Sequence, residues 1–65
     1  MIRSHVVDVD GVFVGAAVCQ EDGWRFVAVD DRVEPLDGGV WPTPGHIQRL
    51  ARAALFRAQP LPVPG

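Results

Sequence analysis

Lysine and tyrosine are absent from this sequence, cysteine, serine and threonine occur once each, and no acidic residue follows Asp37. The single cysteine, Cys19, excludes a disulfide within the chain and a zinc site built from paired cysteines. It reads instead as a small buried apolar side chain. The only serine is Ser4. With no Gly-x-Ser-x-Gly motif, no Cys-His-Asn set and no recognisably spaced carboxylate pair, the sequence predicts no enzyme. Long apolar runs are also missing: nothing approaches the ~18 residues of a membrane span. The start Met1-Ile2-Arg3-Ser4-His5 lacks the charged and apolar regions of a signal peptide, so the expectation is a cytoplasmic protein without a membrane partner.

What is present is short and apolar. The chain has 65 residues, 48% of them hydrophobic. A domain of this size buries only about 60% of its unfolded surface, so its core is marginal without help, and self-association is the help that remains. The net charge of -2 hides an asymmetry. Residues 1–37 hold all eight acids against Arg3, Arg25 and Arg32, while residues 38–65 hold Arg49, Arg52 and Arg57 with no acid. Such polarity serves partner or nucleic-acid binding, or one half of a molecule complementing the other.

From Ile2 to Asp30, β-branched and small residues are punctuated by Asp10-Gly11 and Asp22-Gly23, which suit type I′ hairpin turns. They predict antiparallel strands over about residues 3–9, 12–20 and 24–30. Two-residue turns would set Val9 opposite Val12, Val7 opposite Val14, Glu21 opposite Trp24 and Cys19 opposite Phe26. One face then carries Val7, Val9, Val12, Val14, Ala16, Val18, Val27 and Val29. The other carries Val6, Phe13, Gly15, Ala17, Cys19, Trp24, Phe26 and Ala28. In residues 31–41, Val33 could extend the sheet, Pro35 forbids a central strand, and Asp37-Gly38-Gly39 should reverse the chain into Val40-Trp41, a weaker second hairpin. A helix follows from Pro44 to about Ala58, with Ile47, Leu50, Ala51, Ala54 and Ala58 on one stripe and Leu55 at its edge.

The expected fold is therefore α+β: an antiparallel meander of three or more strands followed by one C-terminal helix packed on one sheet face. Residues 1–58 form the domain, and residues 59–65, "QPLPVPG", an extended or disordered tail. One helix covers one face, which leaves the face expected to carry Phe13, Trp24 and Phe26 as an apolar patch larger than soluble monomers usually expose. A second copy is the economical lid, so the expected partner is the chain itself, as a homodimer. Phe56, opposite the helical stripe and near Arg49 and Arg52, is a second exposed apolar candidate, unless the helix frays before it or the tail folds back over it.

Thr43-Pro44 reads as a helix start: threonine at N-cap accepts a backbone N–H, and proline at the first helical position needs no donor. His46, two residues on, has no chemical companion for general-base work and sits where the helix dipole disfavours imidazolium. Asp8-Val9-Asp10-Gly11 resembles the opening of a calcium loop but lacks the later oxygen ligands, so the hairpin reading is preferred. His5, His46 and Cys19 would make a metal site only if the fold gathered them, and no metal or cofactor is expected. Arg49, Arg52 and Arg57 could meet a phosphate backbone as a weak nucleic-acid binder. Three arginines on an acidic chain make that the poorer reading beside a solvated helix face.

The order strand, strand, strand, turn and helix, carried by Asp22-Gly23-Trp24, Ala28-Val29-Asp30, Leu36-Asp37-Gly38 and Thr43 before a helix with Ala51 and Ala54, resembles the N-terminal domain of HicB-type antitoxins. The resemblance spans about residues 5–57. It implies a partial RNase H-like α+β fold that binds and occludes a small RNase toxin as an oligomer. Pro44-Gly45-His46 stands where those proteins place acidic residues, and the stretch after the helix, residues 59–65, does not read as their DNA-binding segment.

Overall fold

The computed structural model describes residues 3–58. Both the tail expected over 59–65 and the first two residues lie outside that range. In chain order the elements are β1 (Ser4–Val9), β2 (Val12–Gln20), β3 (Gly23–Ala28), a 3-10 helix (Asp31–Leu36), β4 (Val40–Trp41) and α1 (Pro44–Ala58). The strands form one antiparallel sheet in the order β1-β2-β3-β4, and α1 packs on one of its faces. This is the α+β meander with a C-terminal helix that the patterning predicts.

Asp10 and Gly11 take φ of 51° and 83°, the left-handed pair a type I′ turn requires, and Val9 stands opposite Val12 as expected. The second turn differs. Its two loop residues are Glu21-Asp22, and Gly23 opens β3, pairing with Gln20, so Cys19 faces Trp24 rather than Phe26. Gly23 is held in the sheet at φ 141°, and a Cβ there would lie 2.7 Å from the Trp41 carbonyl oxygen. The glycine serves the close approach of β4 instead of the turn. This slip by two in the pairing preserves which residues share a face.

A bulge does not preserve it. Val7 pairs with Gly15 and Asp8 with Phe13, leaving Val14 as an extra residue on β2. Val14 and Gly15 are consequently both buried, although they are adjacent. The Val14 carbonyl accepts the N–H groups of Val29 (2.9 Å) and Asp30 (3.1 Å), which ties the bulge to the exit of β3. Gly15 is packed so closely that an added Cβ would clash with the Val27 carbonyl oxygen and lie 2.7 Å from Phe26 Cζ. The bulge exchanges the two expected faces at one point. Val7, Val9 and Val14 before it join Gly15, Ala17, Phe26 and the half-buried Trp24 and Ala28 on the inner face.

The inner face is closed from two sides. Instead of extending the sheet, Val33 lies in the 3-10 helix and is fully buried. Pro35, which fixes φ and has no N–H, suits a tight turn and not a ladder. Asp30 caps that turn, its Oδ1 accepting the Arg32 N–H at 2.9 Å. The chain then returns beside β3: Asp37 Oδ1 accepts Ala28 N–H, Gly38 N–H donates to Phe26 O, and Phe26 N–H donates to Gly39 O. This delivers Trp41 opposite Trp24, both half-buried against the core.

Thr43 Oγ1 accepts the His46 N–H at 3.1 Å, the N-cap bond expected for Thr43-Pro44. The centre of the buried stripe of α1 is Ile47, Ala51 and Leu55, four residues apart, with Leu50 and Ala54 half-buried beside it. Leu55 is thus central, not marginal; the side chain of Ala58 lies outside the described residues. Gln48 Nε2 donates to the Asp8 carbonyl, and Arg52 lies 3.5 Å from Asp10 across two exposed side chains, so the helix is fastened to the first hairpin.

Candidate functional site

The face turned away from α1 is largely apolar, with Ser4, Asp8 and Arg25 as its polar members. Register and exposure place Val6 of β1, Phe13, Ala16 and Val18 of β2, Val27 of β3 and Val40 of β4 on it. Phe13 is 51% exposed, Val6 61% and Val27 44%, and Val29 just past β3 reaches 63%. No element among the described residues covers these side chains. Polar residues occupy its margins. Asp8 lies opposite Phe13 at one end of the patch, and Arg25 lies between Val18 and Val40 at the other. Because β1 and β3 flank β2, these two charges stand at diagonal corners.

Of the residues expected on the open sheet face, Val6 and Phe13 are there. Trp24 and Phe26 belong to the inner face, and Phe26 is completely buried beneath the helix. The cause is the bulge at Val14, which reverses the side-chain alternation between the Phe13 and Phe26 parts of the sheet. Val27 and Val40 take their place. The signal for this was Gly15, a lone glycine inside a strand pattern, which marks a bulge or a close backbone approach. Cys19 is also corrected. It is exposed, two residues from the Glu21-Asp22 turn at the open end of the hairpin.

On the helix, Arg49, Arg52, Ala53, Phe56 and Arg57 line one surface turned away from the buried stripe, and Arg52 and Phe56 also border Val9 and Asp10 of the first hairpin. Phe56 is 74% exposed, the highest value of any large apolar side chain among the described residues. Helical spacing stacks Arg49, Arg52 and Phe56 along one edge. Arg52 makes the long contact to Asp10; Arg49 and Arg57 form no ion pair among the described residues.

Thr43 and Pro44 act in the helix start. His5, Cys19 and His46 are not gathered, and among the described residues no three His, Cys, Asp or Glu side chains converge as metal ligands. The one clearly shifted carboxylate is structural. Both Asp30 oxygens accept from the Arg32 guanidinium at 2.8 and 2.9 Å, and the Arg32 backbone N–H adds a further bond, which together hold its pKa at about 2 instead of 3.8. No helix among the described residues is long and apolar enough to cross a membrane. No family model, characterised protein or solved structure matches this chain.

Proposed function

We propose that this chain is a small cytoplasmic, non-enzymatic interaction domain that acts as a homodimer through its open sheet face. The observation that carries the reading is the apolar surface running across all four strands, from Val6 through Phe13, Ala16 and Val27 to Val40. A face of this kind resembles one half of a sandwich, and sheet-on-sheet stacking buries it without a new element. A two-fold contact needs a self-complementary surface. Asp8 and Arg25 at diagonal corners supply that: a two-fold axis crossing their diagonal at right angles sets Asp8 of each copy over Arg25 of the other.

The test is light scattering behind a sizing column at micromolar concentration. The wild type is expected at twice the chain mass, and Phe13→Asp at the chain mass with its circular dichroism unchanged, since Phe13 lies on the open face and is not one of the core residues. Reversal of one charge, Asp8→Arg or Arg25→Asp, should weaken the dimer, and the double reversal should restore it. A monomeric wild type overturns the reading.

A second reading keeps the resemblance to HicB-type antitoxins, favoured by the order of elements, a meander followed by one helix. It predicts stable co-purification with a small RNase encoded next to this chain and inhibition of that RNase.

A further inference from the structure

The outer surface of α1 is a second candidate for contact, separate from the sheet face and on the other side of the molecule. We propose that it binds an acidic peptide segment of a partner protein, one that places an apolar side chain on Phe56 and carboxylates against Arg49, Arg52 and Arg57.

Phe56 is 74% exposed in the last turn of a helix whose buried stripe runs through Ile47, Ala51 and Leu55, so burial among the described residues does not account for a phenyl ring there. The ring is bordered by Arg49, Arg52 and Arg57, with Ala53 leaving the surface beside it low. The helix contains no acidic residue, and none follows Asp37 anywhere in the chain. These guanidinium groups are therefore not neutralised along their own helix. The single acidic neighbour is Asp10, 3.5 Å from Arg52 and 72% exposed, an exchangeable surface contact that a stronger carboxylate partner would displace.

An apolar centre with a cationic border selects the chemistry of its partner. A purely apolar surface would leave the arginines facing nothing, and a purely anionic one would leave Phe56 in water. An acidic segment with one large apolar residue satisfies both. Aromatic and arginine side chains are also the residue types that most often dominate binding energy at interfaces. A long polyanion fits less well, because the chain as a whole carries a net charge of -2 and eight acids crowd its other half.

The probe is a fluorescein-labelled amphipathic peptide of about a dozen residues with one leucine among glutamates, a length that suits helix-face recognition. Anisotropy titrations compare it with a Glu→Gln peptide, a Leu→Ala peptide and a thymidine oligonucleotide. Saturable micromolar binding is expected, weakening as salt rises and falling by about tenfold or more with Phe56→Ala or with Arg49→Glu. Both variants lie on exposed positions, and circular dichroism checks that they remain folded. Phe13→Asp should bind the peptide like the wild type, which keeps this surface independent of the dimer. Failure of the probe to saturate overturns the proposal, as does equal binding of either control peptide. Equal or tighter binding of the oligonucleotide, or indifference to Phe56→Ala, overturns it as well.

Discussion

The two faces of the sheet are built from nearly the same amino acids and end in opposite circumstances. The inner face holds Val7, Val9, Val14, Ala17 and Phe26, all essentially inaccessible to water. The outer face holds Val6, Phe13, Val27 and Val40, each at least 39% exposed. Hydrophobicity does not separate the two sets, since valine and phenylalanine stand on both. What separates them is position relative to the Val14 bulge and to the two covering segments, α1 and the 3-10 helix that carries Val33. Residue type makes a surface worth burying; chain topology decides which surface is buried within the chain and which is left exposed.

The largest effect that breaks this comparison is expected at Phe26. Phe26→Ala removes a fully buried ring and should cost about 3–5 kcal/mol, most of the stability of so small a domain, read as loss of the cooperative thermal transition. The matching truncation on the other face, Phe13→Ala, should leave the monomer's secondary structure in place and change only association. If the two variants unfold alike, the faces are not energetically distinct and the assignment of inside and outside fails.

The next effect sharpens the point where the faces exchange. At Gly15 a Cβ would collide with the Val27 carbonyl oxygen and the Phe26 ring, so Gly15→Ala forces either the β2–β3 spacing or the ring to move. A loss of about 1–3 kcal/mol is expected in urea unfolding, as for other overpacked sites. Gly11→Ala is a useful contrast. The space around Gly11 is empty, and only its φ of 83° is strained by a side chain, so a smaller loss of about 1 kcal/mol is expected there.

The smallest effect concerns the rim of the covered face. The Arg32 side chain and backbone hold the Asp30 carboxylate at about 2, below its ordinary 3.8. A carboxyl group whose pKa is lower when folded than when unfolded stabilises the fold above the unfolded value. That contribution disappears as pH falls through the folded value. Thermal stability should therefore drop between pH 3.8 and about 2 more steeply in the wild type than in Asp30→Asn. Equal slopes would show that the Asp30–Arg32 contact adds nothing to the stability of the fold.

Much of the fold was legible in the residues. Asp10-Gly11 declared the first hairpin because few residue pairs accept two left-handed conformations in succession. Thr43-Pro44 declared the helix start, and the spacing of Ile47, Leu50, Ala51 and Ala54 declared the buried side of the helix, although it left Leu55, a central core residue, at the edge. That the sheet would be apolar on both faces was legible too, since β2 has Val12, Val14, Ala16 and Val18 at one parity and Phe13, Gly15, Ala17 and Cys19 at the other. Less legible were the features that depend on close approach between segments distant in sequence. Asp22-Gly23 looked like a second turn of the first kind, yet Gly23 is required by β4, whose chain passes too near for a side chain. Val33 looked like a strand residue, yet the Asp30 cap and Pro35 fold it into a 3-10 turn under the sheet.

The sequence by itself determined that there would be an antiparallel meander, one amphipathic helix and more apolar surface than one helix could cover. Local propensity, turn chemistry and a count of apolar positions suffice for that. Only the tertiary structure decided which aromatic residues remain outside. Period-2 alternation carries face identity along a strand, and a single inserted residue reverses it. Whether the extra residue at Val14 is accommodated depends on the Val14 carbonyl meeting two N–H groups from the end of β3, and on Gly15 yielding room for the Phe26 ring. Those are contacts between segments distant in sequence, and they put Phe26 under the helix and leave Phe13 in the open.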